Sequence, residues 1–136
     1  MKDKAFVDTN ILVYLYSEDE VEKRDKSQSI FEIYECITST QALNELSNIM
    51  IKKFKITPSE VSGVVDEISE NCQISTVGLG TIKIALDIAE RYKYSYYDSL
   101  IIPSALENDC NILLTEDMQD GQNIESTLTI KNIYIH

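Results

Sequence analysis

Asp98 stands where a surface acid does not belong. On a helix of about 3.6 residues per turn, Ile101, Ile102 and Ala105 follow it by three, four and seven places, which puts Asp98 on the apolar stripe facing the core. A carboxylate so placed is costly unless it is paired, hydrogen-bonded or bound to a cation. The competing reading is a helix N-cap, in which the acid accepts backbone N–H bonds. Three further acids bear on the choice. Asp8 ends the apolar run Lys4–Val7, and Asp117 follows the apolar run Ile112–Leu114 through Thr115 and Glu116. Glu45 lies beside the apolar margin formed by Ala42 and Ile49 on a helix whose main face carries Leu43, Leu46, Met50 and Phe54. Asp8 has the same cap alternative, and a solvated glutamate is the alternative for Glu45.

The elements that must position these acids read as short strands alternating with helices. Strands fall at Lys4–Val7, Ile37–Thr38, Gln73–Val77 and Ile112–Leu114, with an edge strand in the alternating tail around Leu128, Ile130, Ile133 and Ile135. Helices are predicted over 11–16, 21–35, from Ser39 or Thr40 to about Phe54, 58–71, 81–92 and from Asp98 to about Asp109. Thr57-Pro58-Ser59-Glu60 is a capping box with proline at the first helical position. Ile84, Ala85, Ile88 and Ala89 are in register on the fifth helix. Pro103 inside the last one predicts a kink or a later start. Asp120-Gly121 is a turn. This order gives an α/β domain over residues 1–136, a three-layer Rossmann-like arrangement with a mainly parallel central sheet flanked by helices.

Composition narrows the chemistry. The chain has 136 residues, 43% hydrophobic and 26% charged, with a formal charge of −11. That charge excludes a bare electrostatic grip on nucleic acid, though not a nucleic-acid substrate approached through metal ions. The only histidine is His136, which removes histidine-dependent triads. Cys36, Cys72 and Cys110 have no paired spacing and read as buried thiols of a reducing cytoplasm. There is no signal-peptide pattern and no run long enough to span a membrane. Lys52, Lys53 and Lys55 form a small basic spot that a helix end alone would explain.

Right-handed crossovers bring parallel strand ends to one rim, so the four acids converge there. Their mutual repulsion is relieved by a divalent cation, and an all-oxygen set suits Mg²⁺ or Mn²⁺. That is equipment for metal-assisted phosphodiester hydrolysis.

The order FVDTNILVYL, ALNEL, YSYYDSLI, ILLTEDMQDG resembles the PIN-domain ribonucleases, and among them the VapC-like toxins of toxin–antitoxin pairs. The resemblance covers nearly the whole chain; Pro103 departs from it. It implies an acidic pocket at the strand C-termini and Mg²⁺- or Mn²⁺-dependent cleavage of single-stranded RNA leaving a 3′ hydroxyl and a 5′ phosphate. Carried over by position, Asp8, Glu45, Asp98 and Asp117 match the catalytic acids. Asp8, Asp98 and Asp117 are the metal ligands, and Asn10 and Thr115 are supporting polar residues. Glu116 and Asp120 are extra acids, either of which could replace Asp117. Tyr14, Tyr96 and Tyr97 could stack on bases, with packing the expected role for at least two of them. The resemblance also implies a homodimer and a basic antitoxin partner. Other readings are a PIN nuclease of RNA processing, a non-catalytic metal-binding module, a receiver-like domain lacking its lysine, and a dehalogenase-like phosphatase lacking a second aspartate at position 10.

Overall fold

The structure, a computed structural model, describes residues 1–135; His136 lies outside the described residues. The chain runs β1 (Lys4–Val7), α1 (Thr9–Tyr14), α2 (Val21–Ile33), β2 (Glu35–Ser39), α3 (Thr40–Lys52), α4 (Pro58–Asn71), β3 (Gln73–Ser75), α5 (Leu79–Tyr92), α6 (Tyr96–Glu107), β4 (Ile112–Leu114), β5 (Asn123–Ile124) and β6 (Leu128–Lys131). The strands form one sheet in the order β3-β2-β1-β4-β6-β5. All pairings are parallel except β5 with β6.

Alternation along the strands builds two cores. Ala5, Val7 and Leu114 face the layer of α1 to α4, packing with Ile11, Leu12, Leu46, Met50 and Ile68. Phe6, Ile37, Leu113 and Ile130 face the other layer, with Ile88, Ile101, Ile102 and Ala105. A side chain on a strand points to the opposite face from its neighbour, so each short strand serves both cores at once. Thr57 caps α4 by accepting the Glu60 N–H at 3.2 Å, behind Pro58.

Several expectations change in the fold. The tail strand β6 is not an edge: it lies between β4 and β5, and the two-residue β5 takes the edge instead. Alternation registers a solvent-facing side, not the number of neighbours, so it cannot distinguish the two. α6 begins before Asp98, at Tyr96, and runs through Pro103. Ser99 to Ala105 are all buried, so this helix is enclosed almost all round. Asp98 is only half-buried, at its open N-terminal end. A helix enclosed almost all round has no stripe sharp enough to show depth, which is why spacing overstated the burial of Asp98. Phe54 lies beyond the end of α3 and is exposed, and Ile84 is exposed on α5, where Thr81, Ala85 and Ile88 carry the buried face.

The strand order reverses direction at β1. The chain winds outward from β1 through β2 to β3, then crosses by α5 and α6 to β4 on the far side. Open α/β sheets bind ligands at such a switch point, outside the strand C-termini. Asp8 follows β1 and Thr115 follows β4, so both stand at this crevice.

Candidate acidic site at the sheet switch point

One pocket is lined by Asp8, Thr9, Asn10, Glu45, Ile49, Tyr97, Asp98, Ile101 and Asp117. All four acids singled out from the sequence reach it, each from a different segment. Asp8 comes from the end of β1, Glu45 from α3, Asp98 from the first turn of α6 and Asp117 from the loop after β4.

Asp8 is the anchored member. It is 4% exposed and N-caps α1, accepting the Thr9 N–H at 2.7 Å on Oδ1. Its Oδ2 accepts the Thr115 hydroxyl at 2.7 Å and the Asn10 amide at 3.2 Å. Burial pushes its carboxyl up to about 6, with the charges of Asp117 and Asp98 adding to the shift against the hydrogen bonds from Thr115 and Thr9. The cap reading and the pocket reading of Asp8 are therefore both true.

Asn10 occupies the space between two carboxylates. Its Nδ2 donates to Asp117 Oδ2 at 2.9 Å as well as to Asp8, while its Oδ1 accepts the Glu116 N–H at 3.3 Å. That backbone bond fixes which end of the amide faces the acids. Thr115 closes the network by accepting the Asp117 N–H at 3.2 Å. A donor amide here does locally what a cation would do more strongly: it bridges negative groups that would otherwise repel.

Glu45 and Asp98 are less constrained. Glu45 Oε2 accepts the Thr9 hydroxyl at 2.9 Å. Its carboxyl is raised by burial and by the charge of Asp98, against the Thr9 bond. Ser95, not Asp98, caps α6, accepting the Asp98 N–H at 3.3 Å. Asp98 thus sits in the first turn, where the helix dipole favours an anion. Glu45 is half-buried rather than solvated, and Thr9, which holds it, was not singled out from the sequence. Its position between Asp8 and Asn10 was the available signal.

The extra acids go elsewhere. Glu116 turns away from the pocket: its Oε1 accepts the Tyr14 hydroxyl at 3.2 Å and the Lys23 ammonium at 3.1 Å. Its buried Oε2 has no protein partner among the described residues. Asp120 accepts the Asn132 N–H at 2.8 Å and does not line the pocket. Tyr14 packs edge-on to Tyr134 with ring centroids 5.2 Å apart. Tyr96 and Tyr97 are exposed, so packing is the role of one of the three tyrosines, not of at least two.

The donor set fits a hard divalent ion. It is all oxygen, and the carboxyls of Asp8 and Glu45, raised chiefly by burial, are raised further by the charge of neighbouring acids. Among the described residues no three His, Cys, Asp or Glu side chains form a ready ligand cluster. An ion here would rest on few protein oxygens and many waters, as Mg²⁺ commonly does.

A mainly parallel sheet with helices on both faces and an acidic crevice at its switch point defines a class of α/β domain whose ligands bind outside the strand C-termini. A family-level comparison matches residues 5–119 to the PIN domain, and the chain belongs to that family. No curated protein sequence matches it. Among solved structures, a chain of a toxin–antitoxin complex from Klebsiella pneumoniae is 19% identical, with a TM-score of 0.72, covering 96% of this chain and 98% of that one. VapBC2 from Rickettsia felis, bound to a DNA fragment from its promoter, is 16% identical with a TM-score of 0.68, covering 95% and 98%. VapC20 from Mycobacterium tuberculosis, a sarcin–ricin loop cleaving toxin, is 13% identical with a TM-score of 0.66, covering 80% and 86%. At these identities the likeness is one of fold.

Proposed function

We propose that this chain is a single-domain, divalent-metal-dependent endoribonuclease that hydrolyses phosphodiester bonds of single-stranded RNA, and that it is the toxin of a toxin–antitoxin pair. The observation that carries the reading is the meeting of Asp8, Glu45, Asp98 and Asp117 in one pocket at the switch point of a PIN fold.

Asp8, Asp98 and Asp117 are the residues that would hold Mg²⁺ or Mn²⁺. The bound ion would supply a water of lowered pKa and offset charge on the phosphate. The protein's own part is positioning. Thr115 and the Thr9 N–H hold the Asp8 carboxylate in one orientation, and Asn10 ties it to Asp117. Thr9 holds one oxygen of Glu45, leaving Oε1 to accept a hydrogen bond from an attacking water. Tyr97, at the pocket mouth, and neighbouring Tyr96 offer exposed rings for unpaired bases. A net charge of −11 disfavours RNA held by its backbone alone, so substrate binding should itself depend on metal.

The same pocket suits an inhibitor that brings a positive charge. An antitoxin segment placing Arg or Lys between Asp8 and Asp98 would exclude both ion and substrate, and the overall charge favours such a basic partner. The toxin–antitoxin assemblies among its structural neighbours support this reading; a homodimer is proposed from the family resemblance alone. Among the described residues no helix is long and apolar enough to cross a membrane. Three unpaired, buried cysteines suit a reducing compartment, and on that ground we propose the cytoplasm.

The test is cleavage of an end-labelled single-stranded RNA with Mn²⁺, with Mg²⁺ and with chelator. Products bearing 5′ phosphates, lost with chelator and with Asp8→Asn, are expected. Cleavage that persists in chelator, or that survives both Asp8→Asn and Asp98→Asn, would overturn the assignment. Copurification of a small basic protein encoded beside this chain separates a toxin from an RNA-processing nuclease.

A further inference from the structure

Two of the three cysteines, 36 places apart in the chain, end side by side. In the β2–β3 ladder Ile37 lies opposite Gln73, Thr38 opposite Ile74 and Ser39 opposite Ser75. One step back along the same register sets Cys36 against Cys72. Cys72 ends α4, but its backbone is already extended (φ −127°, ψ 146°), so the strand geometry reaches it. Adjacent strands lie about 4.8 Å apart, within the Cα separations of roughly 4.4–6.8 Å that a disulfide spans. Both residues belong to the same apolar cluster, so both point to the same face of the sheet.

The pair is buried, at 5% and 7% exposure, but borders solvent. Cys36 and Cys72 together line an open surface depression with Lys2, Glu70 and Asn71. β3 is an edge strand, with no further strand beyond it to resist a small approach. Cys110 provides the contrast: it is buried in the cluster on the other face and does not line this depression.

We propose that Cys36 and Cys72 form a reversible thiol–disulfide site that reacts with low-molecular-weight disulfides, Cys36 attacking and Cys72 resolving. The two thiols differ in the sense this requires. The nearby Cys72 thiol pulls the Cys36 thiol below the usual range against burial, assisted by the charge of Lys2, while the Cys36 S–H donates to the Ile30 and Tyr34 carbonyls at 3.8 Å. The same thiol–thiol contact, with burial, pushes Cys72 up. The Cys36 thiolate attacks one sulfur of the small disulfide, whose S–S bond breaks; the departing thiolate takes a proton. Cys72 then gives up its proton and attacks the Cys36 sulfur, releasing the second small thiol. Two protein thiols are oxidised by two electrons and one disulfide is reduced to two thiols. The new bond closes residues 36–72 into a loop containing α3, with Glu45, and α4. It lies at the strand N-termini, at the end of the sheet opposite the acidic pocket. Oxidation therefore constrains the unfolded chain without touching the site.

The experiment exposes the reduced full chain to oxidised glutathione, alkylates it and digests it with trypsin without reduction. Peptide 27–52 joined to peptide 56–83, with the loss of two hydrogen masses, is expected, while Cys110 in peptide 94–131 is alkylated. The oxidised protein should melt at higher temperature, and dithiothreitol should reverse the shift. Cys72→Ser should stop at a glutathione adduct on Cys36, and Cys36→Ser should leave Cys72 unmodified. Free Cys36 and Cys72 after treatment, reaction of Cys110 at an equal rate, or only intermolecular linkage would overturn the proposal. The wild-type peptide map decides even where a variant fails to fold.

Discussion

The two walls of the acidic pocket are built differently. On the strand wall, Asp8, Asn10, Thr115 and Asp117 are joined by hydrogen bonds of 2.7 to 3.4 Å. On the helix wall, Glu45 has one side-chain partner, Thr9, and Asp98 is anchored through its backbone, by the N–H bond to Ser95. The strand wall is set before any ligand arrives. The helix wall keeps rotamer freedom, so it can adjust to an ion or substrate at the cost of ordering its side chains. Preorganisation and adaptability are divided between the two sides of one crevice, because the chain segments after β1 and β4 are adjacent and hydrogen-bonded to each other, whereas Glu45 and Asp98 stand on separate helices.

The largest test of this division removes charge from each wall. Asp8→Asn should lower Mn²⁺-dependent cleavage roughly a thousandfold or more, and Asp98→Asn should do the same without lowering the melting temperature. Retained activity in the Asp98 variant alone would confine the chemistry to the strand wall. Next is Thr115→Val, which deletes the hydroxyl that holds Asp8. Titration of Mn²⁺ should show metal affinity weakened by about 10–100-fold. Thr9→Val, acting on the adjustable wall through Glu45, should have a smaller effect on the same titration.

A third test reads the strand wall without substrate. The folded-state carboxyl of Asp8 titrates near 6, against 3.8 for the ordinary group. The folded state therefore holds its proton more tightly than the unfolded chain does. Metal-free stability should fall as pH rises through about 4 to 6, by at most about 3 kcal/mol. Glu45, also raised, contributes in the same direction. Urea melts across this range should show that slope, and either saturating Mg²⁺ or Asp8→Asn should flatten it. The smallest effect is expected at Lys23, whose bond to Glu116 lies outside the pocket. Lys23→Met should cost about 1 kcal/mol or less in thermal stability and change cleavage only a few-fold.

Much of the site was legible because the carboxylates mark element boundaries. Asp8 at the end of a buried strand, Asp117 after another, and Glu45 on a helix margin are local facts, and the pocket assembles all of them. The partners were not legible. Nothing in the spacing of Thr9 shows that it reaches Glu45 across 36 residues, or that Asn10 bridges Asp8 and Asp117. Glu116 and Asp117 are adjacent and chemically alike. Only the loop geometry after β4 sends one to Lys23 and the other to the pocket.

The amino-acid order by itself determined the alternation of strands and helices, the capping of α4 and the segments that bear the acids. Those follow from burial periodicity and backbone preference, which act over a few residues. Tertiary structure decided which strands are neighbours, hence that β6 is internal, that β1 and β4 flank the crevice, and that Cys36 meets Cys72. Parallel pairing joins distant segments through crossovers, and its register leaves no periodic trace along the chain.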